Sequence, residues 1–243
     1  MDESLKFVRQ SFSWKGEIMA QKMHCEFVSW DEIYSMCKEL AKTVECSGYE
    51  PNTLVALARS GFIPGRLLSD FMGITDLVSL KVEHWLDTTG QHKDEATIPY
   101  MIPLNLDGKR VLVVDDIVDT GKSMVVSVDY IKRYKPAAIK TAVMHYINSS
   151  MHKPDYYVRF IADWTWFVWP WNRVEDLCNL FQRLLKTDLK RAWSARDIRE
   201  GIMKSFDLTV SKEQVNEVLN TLSRRNKVEK KIENDRELWM IRS

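Results

Sequence analysis

The sequence predicts an α/β fold with an open, mostly parallel sheet flanked by helices, followed by a small C-terminal unit that is three-helix or winged-helix-like. Three features predict it. Short apolar runs alternate with helical patterns through the first two thirds of the chain. One run, Val111–Val114, is continuously apolar, as strands covered on both faces are. After Trp171 the rhythm turns helical. The 243 residues exceed a typical single domain. The expected divisions are an N-terminal extension over 1–22, an α/β domain over 23–171 and a helical domain over 172–243.

The first element is a helix from Ser29, where Ser-Trp-Asp-Glu reads as a capping box and Ile33, Met36, Cys37, Leu40, Ala41 and Val44 recur at helical spacing until Gly48. Leu54–Ala58 is a strand. A helix opened by Pro64 carries Leu67, Leu68 and Phe71, and Leu77–Val82 is the next strand. Val111–Val114 leads into a helix bearing Met124, Val128 and Ile131, closed by Pro136, and Ile139–Ile147 is a further strand. Helical starts follow Trp171, at Ser194 and at Ser211. Val228–Ile232 and Leu238–Ile241 flank Asn234-Asp235 as a two-stranded wing.

Composition narrows the function. Lys plus Arg number 35 against 34 Asp plus Glu, so no global charge draws the chain to nucleic acid or anionic lipid. Cys25, Cys37, Cys46 and Cys178 are scattered without C-x-x-C spacing, which suggests neither a zinc site nor a disulfide framework and fits a reducing compartment. No secretory signal opens the chain, and no run approaches the roughly 18 apolar residues of a membrane span. A cytoplasmic location is the expectation.

The chemistry concentrates in Val111-Leu-Val-Val-Asp-Asp-Ile-Val-Asp-Thr-Gly-Lys-Ser-Met124. Asp115 and Asp116 leave the strand together and offer acceptors for two neighbouring hydroxyls. Thr120, Gly121, Lys122 and Ser123 turn into a helix whose free amides favour a phosphate, and Gly121 lets the backbone approach it. Piece by piece, the same residues also read as a solvated turn and a capped helix start. An ATP-binding P-loop is excluded, because Asp116 stands where that motif needs its first Gly.

Taken whole, the segment resembles the phosphoribosyl pyrophosphate signature of the type I phosphoribosyltransferases, purine branch. The resemblance covers about residues 24–171 and implies a magnesium-dependent enzyme joining a purine to ribose 5-phosphate. It implies that Asp115 and Asp116 hold the ribose hydroxyls, that Asp119 through Ser123 wrap the 5-phosphate, and that Asp119 is the general base. Magnesium should meet Asp115 and Asp116 mostly through substrate or water. Ala58-Arg-Ser-Gly-Phe-Ile-Pro-Gly65 resembles the family's pyrophosphate loop, with Arg59, Ser60 and Gly61 as binding residues. The polar stretch Glu83–Ala96 stands where the family carries a mobile lid. The run Asp163–Trp171 resembles the base-binding segment, with Trp166 as the stacking residue and Phe167 beside it. Tyr146-Ile147-Asn148 replaces a lysine that oxopurine-using relatives place there, so adenine is expected ahead of hypoxanthine or guanine. A homodimer is the expected assembly.

The tail from Lys186 carries fourteen basic and ten acidic residues. Its helices and wing would suit a purine- or phosphoribosyl-pyrophosphate-sensing transcriptional regulator. Glu213 and Glu217 on the third helix argue against DNA as a partner, and a structural role beside the base-binding run is expected instead.

Overall fold

The computed structural model describes residues 23–85 and 92–242. The expected extension over 1–22 and the tip of the expected lid lie outside the described residues. The chain enters through β1 (Cys25–Phe27) and α1 (Trp30–Cys46). The capping box forms as the sequence demands: the Ser29 hydroxyl accepts from the Glu32 amide at 3.2 Å, and the Glu32 carboxylate accepts from the Ser29 amide at 2.8 Å. Next come β2 (Thr53–Ala58), α2 (Phe62–Phe71) and β3 (Leu77–Lys81). α2 begins at Phe62 rather than Pro64. Proline is accommodated in its first turn because an N–H there has no intrahelical acceptor.

The expected lid begins and ends as an antiparallel ribbon of β4 (Glu83–Trp85) and β5 (His92–Thr97). β6 (Arg110–Val118), α3 (Lys122–Lys132), β7 (Ala138–Ile147), β8 (Tyr156–Ile161) and β9 (Trp166–Val168) follow. Five strands make one sheet, in the order β3-β2-β6-β7-β8, with every neighbouring pair parallel. Alternate residues face opposite layers. Leu54, Leu112 and Val114 meet α1 and α2 through Leu40, Val44 and Leu68, whereas Val55, Val111 and Val113 meet α3 through Met124 and Ile131. Cover on both faces is why Val111–Val114 is apolar throughout.

The rest of the chain forms α4 (Arg173–Leu185), β10 (Trp193–Ser194), α5 (Ala195–Phe206), α6 (Lys212–Arg224), β11 (Val228–Glu233) and β12 (Arg236–Ile241). Ser194 with Asp197 and Ser211 with Gln214 form the caps of α5 and α6. The strands pair in the order β10-β12-β11, so three helices and a small sheet give a winged-helix-like topology. On the wing, Lys230 pairs with Glu237 and Lys231 with Glu229, which offsets its basic charge locally.

This unit shares its core with the segment around the aromatic run Asp163–Trp171. Leu177, Phe181, Leu184, Ile198, Ile202, Leu219 and Trp239 pack in one cluster with Cys25 of β1 and Val168 of β9. The Met23 amide also donates to the Ser205 carbonyl at 3.1 Å, and Arg173 donates to the Val28 carbonyl at 3.2 Å. Val174, in the first turn of α4, is exposed. Truncation after Trp171 is expected to uncover Cys25, Val168 and the adjoining face of Trp166. Burial of such side chains contributes about 1.5–3 kcal/mol each, so the shortened chain should sediment as aggregate. A soluble, folded fragment equal in yield to the full chain would contradict this docking.

Candidate functional site

A cavity of about 620 Å³ opens where β2, β6 and β7 end. Parallel sheets place ligands at this edge, because the strand-to-helix turns converge there. β6 continues four residues past its expected end, so Asp115 and Asp116 lie within the strand rather than at its exit. Its pairing with β2 stops at Val114, which sets the two carboxylates beside the turn that follows β2. Asp116 is buried and Asp115 half-buried. The Asp115 Oδ1 accepts from the Asp116 amide and the Asp116 Oδ1 from the Ile117 amide, both at 3.0 Å. Burial pushes the Asp116 carboxyl up to about 6. Burial, followed by the neighbouring Asp116 charge, raises Asp115 well above the usual carboxylate range. The pair therefore favours a ligand that brings donors or positive charge.

Asp119, Thr120 and Gly121 form the loop between β6 and α3, and Asp119, Thr120, Gly121 and Ser123 all line the cavity. Lys122, expected in the same set, opens α3 but is not among the lining residues. Gly121 has φ +84, and a Cβ there would lie 2.7 Å from the His152 amide nitrogen and 2.7 Å from the Ser150 Oγ. Gly121→Ala is expected to cost about 1–3 kcal/mol through this left-handed backbone and the clash. A lowered urea midpoint would register it, and an unchanged midpoint would refute it.

Across the cavity, Arg59 and Ser60 line the turn after β2, whereas Gly61 does not. Gly61 permits close packing: a Cβ there would stand 2.7 Å from Asp115 Oδ1 and 2.8 Å from Asp115 Cα. The Ala58–Arg59 peptide is cis. The Arg59 guanidinium donates to the Glu175 carboxylate of α4 at 3.5 Å, so the turn reaches across to the C-terminal unit.

Trp166 and Phe167 both line the cavity. β9 pairs in parallel with β1, setting Cys25 opposite Trp166 and Glu26 opposite Phe167. Phe167 is buried and stacks on His145 at 4.3 Å between ring centroids. Burial holds that imidazole at about 4, and hence neutral near pH 7. Trp169 stacks on Trp171 at 5.0 Å, with 6° between the ring planes. Much of the aromatic run thus builds core, while Trp164, Trp166, Phe167 and Trp169 also border the cavity.

Lys81, Asn172, Glu175 and Asp176 line the cavity and escaped the sequence reading. Lys81, at the end of β3, forms an ion pair at 2.8 Å with Glu83, the first residue of the expected lid, and buried His84 follows it. A cation at the C-terminal end of a strand was the available signal for Lys81. Asn172, Glu175 and Asp176 come from the turn before α4 and its first turn. No local pattern distinguishes them from helix-start acids. Among the described residues, no three His, Cys, Asp or Glu side chains gather as a metal cage. Asp115 and Asp116 are hard oxygen donors suited to a cation that completes its shell with ligand oxygens and water. No helix among the described residues is long and apolar enough to cross a membrane.

Residues 29–176 match the family described as the phosphoribosyl transferase domain. The chain is 28% identical over 146 residues to a xanthine-guanine phosphoribosyltransferase of Idiomarina loihiensis, covering 60% of this chain and 86% of the relative. A purine phosphoribosyltransferase structure from Pyrococcus horikoshii superposes with a TM-score of 0.53 at 30% identity, covering 61% of this chain and 94% of that one. The xanthine-guanine-hypoxanthine phosphoribosyltransferase of Helicobacter pylori gives 0.52 at 27% identity, covering 65% and 98%. The expected preference for adenine is not supported by these similarities and is withdrawn. It rested on one absent lysine, and a missing side chain does not specify which groups read the base instead. Lys153, the nearest alternative, is exposed and outside the cavity lining.

Proposed function

This chain belongs to the phosphoribosyl transferase family, and from that premise we infer that it converts phosphoribosyl pyrophosphate and an oxopurine base into a purine nucleoside 5′-monophosphate and pyrophosphate. The observation that carries the reading is the convergence, on one cavity at the sheet edge, of the Asp115–Asp116 pair, the loop from Asp119 to Ser123, the Arg59–Ser60 turn and the Trp166–Phe167 wall.

Each group has a task. Asp115 and Asp116 accept hydrogen bonds from the ribose hydroxyls, and their raised carboxyls gain from the charge that a cation brings. Magnesium, held mostly by substrate oxygens and water, would neutralise the pyrophosphate as it leaves. The amides at the start of α3 and the Thr120 and Ser123 hydroxyls hold the 5-phosphate. Arg59, with the backbone at Ser60, meets the departing pyrophosphate. The base stacks at Trp166 and Phe167 with N9 facing the anomeric carbon. As the bond from that carbon to pyrophosphate breaks and the bond to N9 forms, Asp119 accepts the proton from N7. Rigid placement of both substrates supplies much of the rate, since aligned reactants avoid the entropy of encounter.

The proposed setting is the cytoplasm and the proposed assembly a homodimer, for which exposed Trp30, Tyr34 and Phe62 on α1 and α2 offer apolar surface. The decisive experiment incubates the protein with phosphoribosyl pyrophosphate, magnesium and, separately, guanine, hypoxanthine, xanthine, adenine and orotate. Nucleotide and pyrophosphate should form in equal amounts with the oxopurines. Turnover of orotate alone, or of none, would refute the reading.

A further inference from the structure

We propose that Glu175, in the first turn of α4, is a positioning residue of the pyrophosphate subsite: it holds the Arg59 guanidinium between turnovers and competes with pyrophosphate for it. The proposal rests on the reading of Arg59 as the cation that meets pyrophosphate, and adds the residue that sets how tightly that group is held.

The contact joins distant parts of the chain. Arg59 stands in the turn after β2 and Glu175 lies 116 residues later in α4, and both line the cavity. The Arg59 Nη2 donates to the Glu175 carboxylate at 3.5 Å. The two partners differ in freedom. α4 is fixed by Leu177, Phe181 and Leu184, which pack in the core shared with β1 and β9. Arg59 projects from a turn, with 71% of its side chain exposed. A change of partner therefore asks for a rotation of the arginine side chain, a fast motion for an exposed residue.

The electrostatics of a helix start do not by themselves explain this contact, since an acid there gains from the amide dipoles whatever lies beyond it. Charge balance at the cavity wall does. The Val82 amide donates to the Ala58 carbonyl at 3.4 Å, which brings the end of β3 beside the Arg59 turn. Lys81, the last residue of β3, lines the same cavity. Its ammonium is raised chiefly by the hydrogen bond to Glu83, and the nearby Arg59 charge acts in the opposite sense. Two cations thus lie close enough to repel, and each is engaged by a carboxylate: Lys81 by Glu83 at 2.8 Å, Arg59 by Glu175. Such a pair suits a polyanion, for which an internal carboxylate substitutes between turnovers.

The geometry also suits exchange. A contact through one nitrogen at 3.5 Å is not the bidentate pairing that a guanidinium makes with phosphate oxygens. An exposed ion pair shifts an equilibrium by only a few-fold. Glu175 therefore tunes the subsite without closing it.

The test measures the Michaelis constant for phosphoribosyl pyrophosphate and the inhibition constant of magnesium pyrophosphate, with guanine as the base. The full-length protein is compared with Glu175→Gln, Arg59→Ala and the double variant. Glu175→Gln should lower both constants together by about two- to five-fold, the range of an exposed ion pair, and leave the Michaelis constant for guanine unchanged. Raising the salt from about 0.05 M to about 0.5 M should erase most of that gain. On the Arg59→Ala background the same substitution should do nothing, because the competition has lost its object. A carboxylate that merely repelled the ligand through space would still act there, so an effect that persists without Arg59 overturns the proposal. Constants that rise or stay put in Glu175→Gln, while Arg59→Ala weakens pyrophosphate, overturn it equally. Failure of the premise looks different: pyrophosphate inhibition that is the same with and without the Arg59 side chain removes Arg59 from the subsite and this inference with it. Absence of turnover with every base would strike the transferase reading itself, and both fall together.

Discussion

Replacing Asp115 and Asp116 together by asparagine is expected to lower kcat/KM for phosphoribosyl pyrophosphate by about 10³-fold or more, while making the ligand-free protein more stable at pH 7.5. The two effects have one origin. In the proposed reaction each carboxylate accepts from a sugar hydroxyl, and a charge-assisted hydrogen bond contributes about 1.5–3 kcal/mol, so losing two approaches that factor. Without ligand, the same charges are buried side by side and repel. The folded Asp116 carboxyl at about 6 lies above its unfolded value of about 4. The folded state therefore holds the proton more tightly. Stability is highest below pH 4, falls as pH rises from about 4 to 6, and is lowest above, by on the order of 3 kcal/mol from this carboxyl. Thermal melts of both proteins across pH 4–8 check the sign, since the variant should lack this decline. A flat wild-type profile, or an unaltered Michaelis constant in the folded variant, would remove the pair from the site.

Asp119→Asn should reduce the single-turnover rate by a factor of about 10² to 10⁴, the usual loss when a general base is removed. Binding of phosphoribosyl pyrophosphate should change far less, because the asparagine amide retains the size of the side chain and the loop amides are untouched. Rapid-quench measurement of nucleotide formation with both substrates saturating separates chemistry from product release. Should the affinity for phosphoribosyl pyrophosphate drop while the single-turnover rate stays constant, Asp119 belongs to substrate binding. Half-buried at the turn between β6 and α3, Asp119 lines the cavity that Trp166 and Phe167 also line, which is the juxtaposition the base role requires.

The local grammar of the chain was legible in advance. Ser29-Trp-Asp-Glu, Ser194 and Ser211 announce helix starts because capping needs only side chains three residues apart. Val111–Val114 announces a strand covered on both faces, and the acids and small residues after it announce a turn into a helix that can hold an anion. Several strands were not legible, β8, β1 and β9 among them. β8 contains Arg159 and exposed Phe160 at the sheet edge, so its composition lacks the apolar run of a central strand. β1 and β9 are three residues each and exist through pairing with one another across about 140 residues of sequence. Among site residues, Asp115, Asp116 and the loop to Ser123 could be chosen from spacing. Lys122 and Gly61 were chosen with them, yet one misses the lining and the other acts as a spacer against Asp115.

By itself, then, the sequence determined what short-range physics can determine: the alternation of strand and helix, the caps, and a phosphate-sized turn beside a carboxylate pair. Tertiary structure alone decided which distant segments share the cavity. It set α4 of the C-terminal unit beside β1 and β9, brought Glu175 to Arg59 and Asp176 to the neighbourhood of Cys25, and laid Phe167 on a neutral His145. The reason is that these contacts gain their free energy from burying apolar surface between elements far apart in the chain, and such burial leaves no period or spacing in any local window from which it could be read.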